Sequence, residues 1–389
     1  MRTPVVVVSG QNDTTDEVID VLLAGEGTAL VEHRFDGHVV HRRTTMMQRG
    51  ARVVVDAVLE LAHGCVSCTV RYDLLEYLRQ LHRRSDVDRI AVRLGPWMEP
   101  EPVCFAITHS PTGGDVLVST VIAVVDGSRW LTQAIGDEEL EDGRTVAQVV
   151  VAQVEFADVV VLTHPHRETI EVCRRLAPRA RLTVGAGRLD LAIAHLEPDA
   201  RRGRSDDPHG SLLAGQPPLE AVGPVQVLEF QARRPFHPRR LHDAVDLLLD
   251  GVVRSKGRLW LASQPDRVMW LESAGGGLLV SQAGKWLAAM TSGEVAGVAP
   301  ERRAIADLIW EYRYGDRHTS MTVLVCGADP AEIQAALRGA LLNDDELSRP
   351  HEWHRYPDPF GDWHIEPCDE SVRAGQADVE GHDIGDLED

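Results

Sequence analysis

The sequence predicts an α/β protein in two parts: a doubly wound, mostly parallel sheet domain over residues 1–199, then a smaller α+β domain over 225–349. Three observations predict it. Apolar, β-branched runs alternate with helical periodicity through the first 190 or so residues, the pattern of strand–helix–strand units. The composition then changes to Arg, Gly, Asp, Ser and Pro over residues 200–224, as in "RRGRSDDPHGSLLAGQPP", which marks a linker. After it, short strands outnumber helices. A chain of 389 residues also exceeds what one compact core holds.

The elements follow in order. Thr3–Ser9 is a continuous β-branched run ending at Gly10, as a buried strand should be. Val5–Val8 and Val149–Val154 both have the length of buried strands. Asp16–Leu23 has helical spacing, with Thr14 or Thr15 as N-cap. Thr28–Glu32 is a second strand, and Arg52–Ala62 is apolar but fits either state. Tyr72–Arg83 carries Leu74, Leu75, Leu78 and Leu81 on one helical face. Arg89–Leu94, Val116–Val125, Asp158–Leu162 and Ala180–Val184 complete the strands of the first domain.

In the second domain, strands are expected at Val225–Gln231, Arg258–Leu261, Val268–Ser273, Leu278–Gln282 and Met321–Cys326. Helices are expected at Arg239–Leu249 and Pro330–Leu341, the latter capped by Asp329. Residues 350–389 form a polar, aromatic and acidic tail with the composition of a flexible segment. Its aromatics, Trp353, Phe360 and Trp363, are expected to pin it to the second domain. His351, His354, His364 and Cys368 give it an alternative use as an auxiliary metal site.

The formal charge of −20 disfavours contact with a nucleic-acid backbone over most of the surface. No apolar run reaches membrane-spanning length, and the N-terminus lacks a signal-peptide layout, so a cytoplasmic location is expected. Six scattered cysteines do not form a disulfide framework. Cys104, Cys173 and Cys326 lie in apolar stretches, as buried thiols do.

The first strand–turn–helix has the order of a phosphate-binding loop, with Gly10, Thr14 and Thr15 as the candidate nucleotide contacts. Its second glycine and its lysine are missing, and it is about three residues short. The only two lysines in the chain are Lys256 and Lys285, so no realignment supplies one. Asp13, Asp16 and Glu17 put negative charge where a phosphate would sit. A strand–turn–helix of purely structural value is the favoured reading. Cys65 and Cys68, in "LAHGCVSCTV", are the strongest chemical signal. Two cysteines three apart in a turn can hold one metal ion between two thiolates or form a redox pair. Gly64 permits the turn and His63 adjoins it as a further candidate ligand, with a helix starting near Tyr72. Zinc is the first expectation.

With these residues in view, the chain resembles the CobW-type GTPases and zinc metallochaperones from about residue 4 to 347. "GQNDTT" stands where that family has its Walker-A loop, and "HGCVSC" where it has its cysteine motif, with Ser67 replacing the middle cysteine. "VRLGPWMEPEPV" is similar to its Glu-x-x-Gly segment: Gly95 and Pro100 match, and Val92 replaces the glutamate. "AVVDGSRW" matches a strand end at Asp126. Thr163, His164, Pro165 and His166 stand where the family reads guanine with Asn, Lys, any residue and Asp. "RPFHPRRL", "GVVRSKGRLWLA", "GDRHTSMTVLVCG" and "ALLNDDEL" resemble its C-terminal domain.

The resemblance implies zinc as the metal, with Cys65 and Cys68 as ligands, and GTP as a doubtful cofactor. Within the family, the chain most resembles an actinobacterial branch that recruits a ribosome hibernation-promoting factor. That implies a ribosome and this factor as partners under zinc limitation, through protein contacts, with little GTP hydrolysis. The alternatives are a CobW-type zinc metallochaperone GTPase with an atypical loop, and a redox protein using the cysteine pair.

Overall fold

The computed structural model describes residues 2–61 and 66–361, the side chain of residue 12 excepted. In the first domain, eight strands form one sheet. They are β1 (Thr3–Gly10), β2 (Thr28–Phe35), β3 (Val40–Gln48), β4 (Ala51–Leu59), β5 (Arg89–Arg93), β6 (Val116–Asp126), β7 (Val159–Thr163) and β8 (Arg181–Val184). Their order is β4-β3-β2-β5-β1-β6-β7-β8, and the run from β2 to β8 is parallel. The helices are α1 (Asn12–Ala24), α2 (Val66–His82), α3 (Pro100–His109), α4 (Trp130–Ala134), α5 (Val146–Glu155), α6 (Arg167–Leu176) and α7 (Leu189–Ala194).

Alternation along β1 shows why the sheet is covered twice. Val6 and Val8 pack against Val18, Ile19 and Leu22 of α1. Val5 and Val7 face Leu74 and Leu78 of α2 and Cys104 and Ile107 of α3. Neighbouring side chains of a strand point to opposite faces, so a run of valines buried on both requires helices on both.

Two of these expectations are corrected and an open one is settled. α1 begins at Asn12 with Gln11 at the cap position, so neither Thr14 nor Thr15 is the N-cap. Val149–Val154 is helical, in α5, because Thr145 and Gln148 form a capping box in front of it and the helix is buried nearly all round. Arg52–Ala62 contributes the edge strand β4, paired antiparallel to β3 and so breaking the parallel pattern at that end.

The second domain holds β9 (Val225–Ala232), α8 (Pro238–Ala244), β10 (Val252–Leu259), β11 (Arg267–Ala274) and β12 (Gly277–Lys285). α9 (Ser292–Ala296), α10 (Pro300–Ile309), β13 (Thr319–Cys326), α11 (Pro330–Ala340) and α12 (Asp344–Leu347) complete it. The five strands form an antiparallel sheet in the order β12-β11-β10-β13-β9. Asp329 caps α11 by accepting from the Ala331 amide at 2.8 Å. α8 stops early, and Val245–Leu248 tightens into a 3-10 turn.

One face of this sheet packs on α8 and α11, through Val252, Val323 and Val325. The other face packs on the first domain: Val253, Ala274 and Leu324 join Val150, Val151 and Val154 of α5 and Val172 of α6 in one cluster. The turn between β11 and β12 is wedged into the first domain. A Cβ on Gly275 would lie 2.4 Å from the Gly136 carbonyl oxygen, and one on Gly276 2.6 Å from the Cβ of Asp137. Gly275 also has φ +49°, a conformation that glycine adopts without penalty.

A charged network lies in the same seam. Glu155 at the end of α5, with a side chain 13% exposed, accepts from Lys256 Nζ at 2.5 Å and pairs with Arg254 Nε at 2.9 Å. Arg254 also donates to Glu272. Burial pushes the Glu155 pKa up, but the Arg254 and Lys256 charges outweigh burial and hold it at about 2. A cavity of about 410 Å³ opens beside the network, lined by Glu101, Arg144, Arg201 and Trp270 among others.

Residues 200–224 contain neither helix nor strand, yet they are fastened rather than loose. Arg258 donates to the Pro208 and Gly210 carbonyls at 2.8 and 2.7 Å, and Asp158 accepts from the Arg202 amide at 2.9 Å. Residues 350–361, expected to be flexible, are packed onto the second domain. Trp353 is 6% exposed and donates to the Glu346 carbonyl, and Phe360 joins the second core. Trp363, His364 and Cys368 lie outside the described residues. Among the described residues no helix is long and apolar enough to cross a membrane.

Glu155→Gln leaves Lys256 without its carboxylate and Arg254 with Glu272 alone. We expect it to cost on the order of 3 kcal/mol in chemical denaturation at neutral pH. The carboxylate is depressed from 4.5 to about 2, so its contribution is present above 4.5 and fades as pH falls toward 2. The stability gap between wild type and variant should therefore close in acid.

Candidate functional site

In a doubly wound sheet the ligand crevice lies beyond the carboxyl ends of the strands. Here that place is built by the ends of β1, β5, β6 and β7 and by the start of α1. Gly10 ends β1 and α1 begins at Asn12, so a single residue, Gln11, connects them. A phosphate-binding loop needs several successive amides curving round an anion. Here the Thr14 and Thr15 amides instead close onto the Gln11 carbonyl at 3.0 and 3.2 Å. The Thr14 hydroxyl donates to the same carbonyl at 2.8 Å, and Thr15 is buried. Gly10 has φ +134°, and a Cβ there would lie 2.6 Å from the Val124 carbonyl oxygen. Its role is close packing of β1 on β6.

The charges around this turn are engaged with one another. Arg129, beyond β6, donates through Nη2 to both carboxylate oxygens of Asp13 at 2.8 Å. Its Nε lies 3.3 Å from Asp126. Asp126 also accepts from the Ser128 hydroxyl at 2.7 Å and pairs with His164 at 3.1 Å. Partial burial raises the Asp126 pKa, but the Ser128 and His164 hydrogen bonds and the Arg129 charge pull it down. On the other side Arg93, at the end of β5, bridges Asp16 at 2.8 Å and Glu32 at 3.1 Å. Val92, in the place of the family's glutamate, is buried in the core.

The residues present therefore do not fit a magnesium nucleotide: the lysine is missing, the loop is closed on itself and Asp13 faces the site. Neither Arg93 nor Arg129 was legible as a site residue. They reach α1 from 77 and 116 positions away, and no local spacing marks them. His166 precedes α6 and His164 holds φ +45°, so the segment that matches the base-reading motif is a turn carrying two histidines.

The segment from Gly95 to Pro100 is held rigidly. Gln153 donates to the Pro96 and Met98 carbonyls at 3.0 Å, and Arg144 grips the Trp97 carbonyl and Glu99 at 2.9 and 2.7 Å. Pro100 opens α3 at a position where its missing N–H costs nothing.

Of the cysteine pair, Cys68 is described and Cys65 lies outside the described residues, as do His63 and Gly64. α2 already begins at Val66, so Cys68 occupies its first turn, and the helix does not wait until Tyr72. The thiol is half-buried, and Arg71 Nη2 lies 3.7 Å from its sulfur. A helix N-terminus and a guanidinium both favour negative charge on sulfur, which is the form that binds metal. α2 itself is anchored by Leu74, Leu78 and Leu81 and by Asp73, which bridges His33 at 2.7 Å and Arg42 at 2.6 Å. Among the described residues no three His, Cys, Asp or Glu side chains converge into a metal site. Burial pushes the Cys104, Cys173 and Cys326 thiols up, which leaves them inert as ligands.

Comparison with known proteins places the chain by family. Residues 27–175 match the CobW/HypB/UreG nucleotide-binding domain, and residues 225–341 the cobalamin synthesis protein cobW C-terminal domain. The chain is 61% identical over 381 residues to the zinc chaperone Rv0106 of Mycobacterium tuberculosis, covering 95% of this chain and 96% of that one. It is 27% identical over 342 residues to the zinc-regulated GTPase metalloprotein activator 1 of Dictyostelium discoideum, covering 79% and 70%. The zinc-bound YjiA GTPase of E. coli aligns at 17% identity over 88% of this chain and 100% of that chain, with a TM-score of 0.38.

Gly10→Ala forces a Cβ against the Val124 carbonyl and a backbone angle that alanine resists. We expect a loss of roughly 2 kcal/mol, read by thermal denaturation, whether or not nucleotide is added.

Proposed function

Since the chain belongs to the CobW family, we propose that it is a zinc-handling protein, accepting Zn²⁺ at Cys65 and Cys68 and passing it to a client, with little or no GTP hydrolysis. The observation that carries this is Cys68 in the first turn of α2 beside Arg71. Two thiolates fill half of a tetrahedral site. The ion is therefore cargo held at an open site, whose remaining ligands a receiving protein can supply. The names of the M. tuberculosis and D. discoideum relatives support zinc as that cargo. Against nucleotide chemistry stand Asp13 at the start of α1 and the absence of any lysine before Lys256.

A second reading is that the chain recruits a hibernation-promoting factor to ribosomes when zinc is scarce. Its support is physical and indirect. A chain whose GTPase elements are replaced at three separate places suits an adaptor better than a catalyst. A net charge of −20 favours contact with basic ribosomal proteins over rRNA.

The two readings share the cysteine site and differ in the partner. The purified chain should retain zinc, and Cys65→Ser/Cys68→Ser should weaken zinc affinity at least tenfold in competition with a chromogenic chelator. Magnesium-dependent GTP turnover should not exceed background. Tight GTP uptake with no zinc retained would discard the proposal. Co-sedimentation with ribosomes from zinc-starved cells, lost in the double variant, would select the second reading.

A further inference from the structure

Among the described residues, no strand pairs with the outer edge of β4, the end strand of the large sheet. β4 is the outermost strand of the order, and β3 pairs with only one of its two edges. Half of its backbone N–H and C=O groups point away from β3, an open template for another strand. Its side chains are bare on both faces: Val53 is 37% exposed, Val54 47%, Val55 58% and Val58 63%. Proteins ordinarily blunt such edges with charge or proline, and long apolar ones pair. Here only Arg52 and Asp56 interrupt the apolar run.

The placing of those two charges selects the partner. In an antiparallel pair related by a two-fold axis through Val54, residue numbers on opposite strands sum to a constant. Arg52 then faces Asp56 of the other copy twice, Val53 faces Val55 twice, and Val54 faces itself. Moving the axis to Val53 or Val55 sets Arg52 against a valine. One register thus satisfies both charges and all three central valines, and cross-strand pairs of these kinds stabilise a sheet.

Within one chain, Arg52 is held by Asp20 and Asp56 by Arg43, each at 2.8 Å and each more than half exposed. Such solvated pairs are worth little and yield readily to a new partner. We propose that this chain self-associates through β4, joining two eight-stranded sheets into one continuous sheet across a two-fold axis at Val54. The contact is narrow compared with obligate dimers, so the association is reversible and depends on concentration.

Sedimentation equilibrium of the full chain tests this. The mass should rise with concentration toward that of two chains. Val54→Lys sets two ammonium groups opposite each other and should weaken association at least tenfold, with an unchanged melting temperature because the site is exposed. Arg52→Asp should weaken it, and Arg52→Asp/Asp56→Arg should restore it, which a merely apolar contact would not do. Under mild oxidation Val54→Cys should yield a covalent dimer, whereas Val184→Cys on the opposite edge strand should not. A chain that stays single at all concentrations leaves the edge to a strand of some other protein and overturns the proposal. So does a dimer indifferent to Val54→Lys, or one that the double charge exchange fails to restore.

Discussion

The arrangement of the molecule depends on one burial constraint. The five-stranded sheet has two apolar faces, and its own helices α8 and α11 cover only one of them. The second is covered by α5 and α6 of the first domain. Removing apolar surface from water is favourable at roughly 25 cal/mol per Å², so the two sheets come as a unit. The charged network around Glu155 sits inside the same seam. Two cations flank one carboxylate there, and Glu272 balances the second. Such a network adds little net stability but is costly to leave incomplete, which makes the docked geometry the specific one.

The same economy shapes the end of the first sheet where a nucleotide would bind. The turn after β1 is so short that its amides close on Gln11, and the nearby arginines are engaged by Asp13, Asp16, Glu32 and Asp126. An anion arriving there would have to displace carboxylates already in place. The chain thus lacks the lysine, glutamate and aspartate noted in the sequence, and the charged groups round the crevice are paired with one another. What the family shares with this chain is the two-domain scaffold.

Much of the fold was legible because burial on both faces writes itself as uninterrupted valine, as in β1, β6 and β7. The same signature misled at Val149–Val154, where a helix enclosed on all sides has the composition of a strand, and only the Thr145–Gln148 cap separates the two. β3 was missed because "VHRRTTMMQ" alternates polar and apolar residues too weakly, and β4 was left open between helix and strand because its exposed valines obey neither period. The candidate site divides in the same way. Cys68 was visible because its signal is local spacing. Arg93, Arg129 and Arg71 were not, because two come from positions distant in sequence and the third is a helix arginine that no motif marks.

The glycine turn at residues 275–277 has a mechanical meaning. Its backbone fills a notch that even one methyl group would overfill, against the α4–α5 region. Swinging the domains apart would withdraw that wedge and bring Glu155 and its cations into water together. Backbone packing and paired charge thus hold the same seam, and parting the halves has to give up both together.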